Sequence, residues 1–172
     1  TVASLVPRVG HMRALMPPWY GTDEENEALA AAVGEARALA AGNGPDADLI
    51  RWREVTGRLA DVEKHYQRKE NLLFSCLERH GITGPSKVMW GKDDEVRELL
   101  RGMEAVLEAD APTAGELAVA AQAVIEPALA AVDSMVEKES RVLLPLALQR
   151  LTEREWGEIW VQSPEYGWCV VE

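Results

Sequence analysis

One dense polar string interrupts an otherwise amphipathic stretch: Lys64-His65-Tyr66-Gln67-Arg68-Lys69-Glu70-Asn71, followed by the apolar Leu72-Leu73-Phe74. His65 and Glu70 are both of metal-ligating type. Five residues apart, they lie about 140° around an ideal helix, against about 40° for residues four apart. They share one ion only with long side chains or a local bulge, and flank two neighbouring ions more easily; the alternative is a solvated charged face. A related string, Glu137-Lys138-Glu139-Ser140-Arg141-Val142-Leu143-Leu144-Pro145, follows later in the chain. Aligning Lys69-Glu70-Asn71 with Lys138-Glu139-Ser140 puts two carboxylates face to face across antiparallel helices, as a dinuclear centre requires. Buried carboxylates are costly without a cation between them. Asp93 and Asp94, just after Trp90-Gly91, serve either as ligands or as acids favouring a helix start.

The elements that position these residues are helical. Alanine-rich stretches at 28–41 and 117–131, and the absence of long runs of Val, Ile and Thr, favour helix over strand. Pro7, Gly10, Pro17 and Pro18 make the first residues an irregular arm over 1–22. Thr22 or Asp23 caps a first helix running to Ala41, which Gly42-Asn43-Gly44-Pro45 stops. A second helix is expected over 47–79, its buried stripe formed by Ile50, Val55, Leu59, Val62, Tyr66, Leu73 and Leu77. After Gly81 and a Gly84-Pro85-Ser86 turn, a third covers 87–109. A fourth, over 114–150, is bent or split by Pro127 and Pro145. Thr152 and Glu155 form the capping-box pattern of a short fifth helix, and the apolar tail from Gly167 to Glu172 is expected to dock on the rest. Four long helices with short connections predict an all-α, up-down four-helix bundle over 23–172, a fold that places metal sites between facing helices.

Composition limits the partners. The chain has 172 residues, enough for one domain, and 18 basic against 29 acidic side chains give a net charge of −11. That balance argues against nucleic acid or an anionic membrane as partner. No apolar run is long enough to span a bilayer, and no basic-then-apolar leader is visible. Two distant cysteines, Cys76 and Cys169, lack CxxC spacing and read as the free thiols of a cytoplasmic protein. Trp52, Trp90, Trp156 and Trp160 are expected to fill bundle ends.

Several of these stretches carry a family resemblance. His65-Tyr66, Arg68 through Phe74, Glu78 through Trp90, and Asp94-Glu95 resemble the hemerythrin-like HHE cation-binding superfamily, most closely a subgroup often attached to PAS sensor domains. Leu151-Thr152-Glu153, Trp156, Glu158-Ile159 and Glu165-Tyr166-Gly167 look like that subgroup's carboxy-terminal signature. The resemblance implies a four-helix bundle around a non-heme di-iron centre that binds oxygen, senses oxygen, iron or redox state, or repairs iron centres. The departures are specific. Asp93 stands where the subgroup usually has His, and Pro17-Pro18-Trp19-Tyr20 replaces a His-Pro element. Of the three histidines, His65 alone occupies a family ligand position; His11 lies in the arm and His80 caps the second helix. The metal set this leaves is His65, Glu70, Asp93, Glu137 and Glu139, with Tyr20 or Glu24 as further donors. So oxygen-rich a set suits two Fe ions, or Mn, and resembles sites that activate dioxygen. The leading expectation is a metal-binding bundle with a remodelled, carboxylate-rich site for redox or oxygen-activating chemistry on a small molecule or dioxygen, with non-heme iron oxidoreductase or oxygenase as the enzyme class it suggests. The alternatives are a sensor of oxygen, nitric oxide or redox state without turnover, and a metal-free helical scaffold. The apolar tail suggests pairing of two chains as a homodimer.

Overall fold

A computed structural model of the chain describes residues 22–42, 49–108, 116 and 119–169. His11 and the Pro17-Pro18-Trp19-Tyr20 element, read from sequence as parts of an irregular arm, lie outside them. All regular structure among the described residues is helical. Helix α1 spans Thr22–Ala41. Helix α2 covers 49–79 as consecutive segments Leu49–Ala60, Val62–Arg68, a π-helical Lys69–Phe74 and Ser75–Arg79. Helix α3 spans Gly84–Glu108. Helix α4 covers 119–150 and contains two π-helical turns, Ala121–Ile125 and Glu139–Leu143. Helix α5, Glu153–Gln162, ends in a short 3₁₀ turn at Ser163–Glu165.

α1 packs on α2 and α4, and α3 packs on the same two from the opposite side. Going round the ring therefore follows chain order, the up-down arrangement expected from short connections. Ala32, Ala36 and Ala128 are fully buried, so the alanine-rich faces are close helix contacts. The core between the helices is built from Leu29, Leu59, Leu77, Met103, Leu107 and Leu129, among others.

The ends of the helices follow from their residues. Gly81 has φ 75°, and Gly81 N–H donates to Glu78 O while Ile82 N–H donates to Leu77 O. This pair of bonds is the Schellman closure, in which glycine takes the left-handed position without a Cβ clash. α3 begins at Gly84, three residues before the expected start, because Pro85 suits a first helical turn that lacks an internal acceptor for its missing N–H. α5 has the expected capping box: Glu155 N–H donates to Thr152 Oγ1 and Thr152 N–H donates to Glu155 Oε2.

Two expectations about α2 and α3 are corrected. Ile50 is 73% exposed, and Trp52 takes its place in the buried stripe. Trp52, Val55 and Leu59 step by three and four residues, whereas Ile50 precedes Val55 by five and so faces away. Trp90 is 47% exposed and fills no bundle end, while Trp52 and Trp156 are buried as expected.

Candidate metal centre

The centre of the bundle is polar. Glu25 from α1, His65, Lys69 and Glu70 from α2, Asp93 from α3 and Glu139 from α4 are all buried. Each lies on the inward face of its own helix, so tertiary packing gathers what the sequence scatters over four elements. His65 sits between two carboxylates, with Nδ1 2.8 Å from Glu25 Oε2 and Nε2 2.6 Å from Glu139 Oε2. A neutral imidazole would point a lone pair at one of these oxygens, so the arrangement calls for an imidazolium that donates from both nitrogens. Burial disfavours that charge, yet Glu139 and Glu25 outweigh it and raise the His65 pKa to about 9.

Lys69 is the second cation of the cluster. Its ammonium donates to Asp93 Oδ1 at 2.7 Å and to Glu139 Oε1, and it lies 4.0 Å from the Tyr66 ring centroid. Against the cost of burial, Lys69 and His65 hold the Glu139 carboxyl far below the usual carboxylate range. Asp93 has only the shared ammonium, and burial pushes it up to about 7. Its second oxygen, Oδ2, is buried without a hydrogen-bond partner.

Two arginines close the cluster on either side. Arg97 of α3 makes a two-pronged pair with Glu70, 2.9 Å on each prong, and also reaches Glu63 and Asp94. Arg68 pairs with Glu25, whose other oxygen accepts the Cys169 N–H at 2.6 Å. Although burial opposes it, His65, Arg68 and this amide together lower the Glu25 pKa.

The five residues singled out from sequence are thus divided. His65, Asp93 and Glu139 converge, linked through each other and Lys69. Glu70 is buried but turned to Arg97, since the π turn of α2 begins beyond His65 and leaves the two residues on different sides. Glu137 is exposed and pairs with Arg141 at 2.8 Å, one turn along the outer face of α4. Glu24 is half-buried and its neighbour Glu25 supplies the acid of α1. Glu25, Arg68, Lys69 and Arg97 belong to the cluster as well, although they are not among the five. The string itself signals two of them, Arg68 and Lys69, as cations beside Glu70 and an apolar run; Glu25 and Arg97 lie outside it. Outside the cluster, His80 is the C-cap of α2 and its ring lies 2.8 Å from Glu155.

The two related strings meet in a different register from the one read in sequence. The π turns begin at Lys69 and at Glu139. Structurally equivalent positions therefore carry opposite charges, and they bond to one another across the core. Two facing carboxylates were expected there, and the register differs by one residue.

Among the described residues the donor set, as packed, does not fit a pair of metal ions. Among the described residues no three His, Cys, Asp or Glu side chains converge on a point where an ion could sit. His65 has both nitrogens committed to carboxylates, and an imidazolium has no lone pair to donate. Four buried acids, Glu25, Glu70, Asp93 and Glu139, already face His65, Arg68, Lys69 and Arg97. Two added divalent ions would leave that balanced interior strongly positive.

A comparison with curated proteins gave no match. A family model for the hemerythrin HHE cation-binding domain matches residues 19–147, from before α1 into the last turns of α4. That span holds every member of the buried cluster, and the chain belongs to the hemerythrin HHE cation-binding family.

Proposed function

We propose that this chain is a metal-independent member of its family: a helical binding or scaffold module in which the protein's own cations occupy the centre, and which does not turn over oxygen. The observation that carries the reading is the Lys69 ammonium, fully buried and shared by Asp93 and Glu139. A buried pair of carboxylates needs a positive charge nearby, and here a side chain provides it. A second reading rests on Asp93 Oδ2, the buried carboxylate oxygen that lacks a partner. It favours a single hard cation, Fe or Mn, taken by Asp93 and Glu139 once the ammonium swings aside.

Metal analysis of protein purified from cells grown with iron and with manganese tests both. The expected result is substoichiometric metal and a thermal midpoint unchanged by chelator. One full equivalent of iron or manganese, lost in Asp93→Asn, would overturn the first reading in favour of the second. Two equivalents would restore the dinuclear, oxygen-activating expectation.

A further inference from the structure

The segment after α5 folds back onto the buried cluster. It is held there by polar contacts to two cluster residues. Gly167 O accepts from Arg68, and the Arg68 guanidinium stacks 4.6 Å from the Trp168 ring, which in turn lies 5.6 Å from Trp160. The Cys169 N–H donates to Glu25 Oε1, and the Cys169 side chain is completely buried. Glu25 is the joint, because its Oε2 accepts from His65 and Arg68 while its Oε1 holds the segment.

The anchoring is uneven. Helix α5 is fixed by the buried Trp156 and Ile159, and Ser163 by its Oγ bond to Ile159 O. Beyond it Pro164 and Glu165 are exposed, and Tyr166, Gly167 and Trp168 are only half-buried. Gly167 turns the chain with φ 81°, a conformation open to glycine and strained for other residues. Between Ser163 and the buried Cys169 only Tyr166 packs against the core, and the few hydrogen bonds there mark a unit that opens on its own, below the free energy of global unfolding.

We propose that residues 164–169 are a strap that gates the buried cluster. Closed, it completes Glu25 and seals His65 from water; open, it exposes Glu25, Arg68 and His65 to solvent and small solutes while the four-helix bundle stays folded. The gate is independent of whether the centre holds a protein cation or a metal ion.

Cys169 on the strap and Cys76 inside α2, both free and buried, provide paired reporters. In the full-length protein without denaturant, an aromatic disulfide reagent should label Cys169 faster than Cys76. Gly167→Ala strains the turn by its φ, since a Cβ there meets only the flexible Lys64 side chain at 3.5 Å. It should raise the Cys169 rate about tenfold and leave Cys76 unchanged. The ring N–H protons of His65, followed by NMR, should lose protection from exchange by a similar factor. Trp168→Ala should act in the same direction on both readouts. Equal labelling of the two thiols, or equal acceleration of both by Gly167→Ala, would show that the segment does not open separately. Faster Cys169 labelling with unchanged His65 exchange would show that it opens without gating the cluster. Either result overturns the proposal.

Discussion

Lys69 and His65 are the two cations at the heart of the molecule, and both depend on acids contributed by other helices. Breaking a buried pair from one side costs more than the pair contributes, because the partner is left charged in a poor solvent. Lys69→Met is therefore expected to lower unfolding free energy by about 3–5 kcal/mol in urea titrations. Adding Asp93→Asn should recover part of the loss, since three buried acids then face three buried bases. The sign of the pH dependence follows from His65. Its pKa rises from 6.5 unfolded to about 9 folded, so its contribution is fully present below about pH 6.5 and lost as pH rises through 9. Stability should fall across that interval by on the order of 2–3 kcal/mol, and His65→Gln should flatten the profile. Asp93 adds to the same trend at lower pH. Its folded pKa of about 7 against 3.8 unfolded means that between those values the unfolded chain releases the proton while the fold retains it, so stability falls as pH rises.

The helices of the second and fourth positions are unusual in that each contains a π turn where it meets the cluster. Such turns insert a residue into an α-helix and widen its buried face. In α2 this lets Lys69 and Glu70 and then Leu72, Leu73 and Phe74 all be buried, which no straight 3.6-residue stripe allows. Two π turns of α4 run into Pro127 and Pro145, whose rings clash with the carbonyl four residues back, and the wider turn relieves that clash. In α2 the corresponding position is Ser75, so proline is not required and burial of the widened face sustains the turn. At the other kind of boundary, Gly81→Ala introduces a Cβ at φ 75° and should destabilise the fold by roughly 1–2 kcal/mol, read as a drop in thermal midpoint.

For the whole molecule, the buried cluster changes the meaning of the net charge. With His65 charged its four acids and four bases cancel, and the rest of the chain carries 15 basic against 25 acidic side chains, a charge of −10. Surface repulsion of that size is screened by salt, whereas a buried network is screened much less. Raising NaCl from about 0.05 to about 0.5 M, where the Debye length shrinks from well above to well below 10 Å, should increase the thermal midpoint. A fall would show that exposed ion pairs such as Arg37 with Glu126 and Asp133 outweigh the repulsion. No helix among the described residues is long and apolar enough to cross a membrane, in keeping with the hydropathy of the sequence.

The helices, their order and most of their boundaries were legible because they depend on local chemistry: alanine content, the Gly81 stop, the Thr152 box and apolar spacing at three and four. The family too was legible, from motifs contiguous in the chain. The centre was only half legible. His65, Asp93 and Glu139 could be named because their types stand out, but which side of a helix Glu70 and Glu137 face depends on where the π turns insert an extra residue. No periodicity in the sequence marks that point. Nor does spacing reveal what neutralises a buried carboxylate. A lysine beside a glutamate reads as a surface pair until packing turns one of them inward. The sequence by itself determined an all-α bundle with acids and one histidine available to its core. Only the tertiary structure decided that Lys69, His65, Arg68 and Arg97 reach those acids, because charge compensation is a relation between helices distant in the chain.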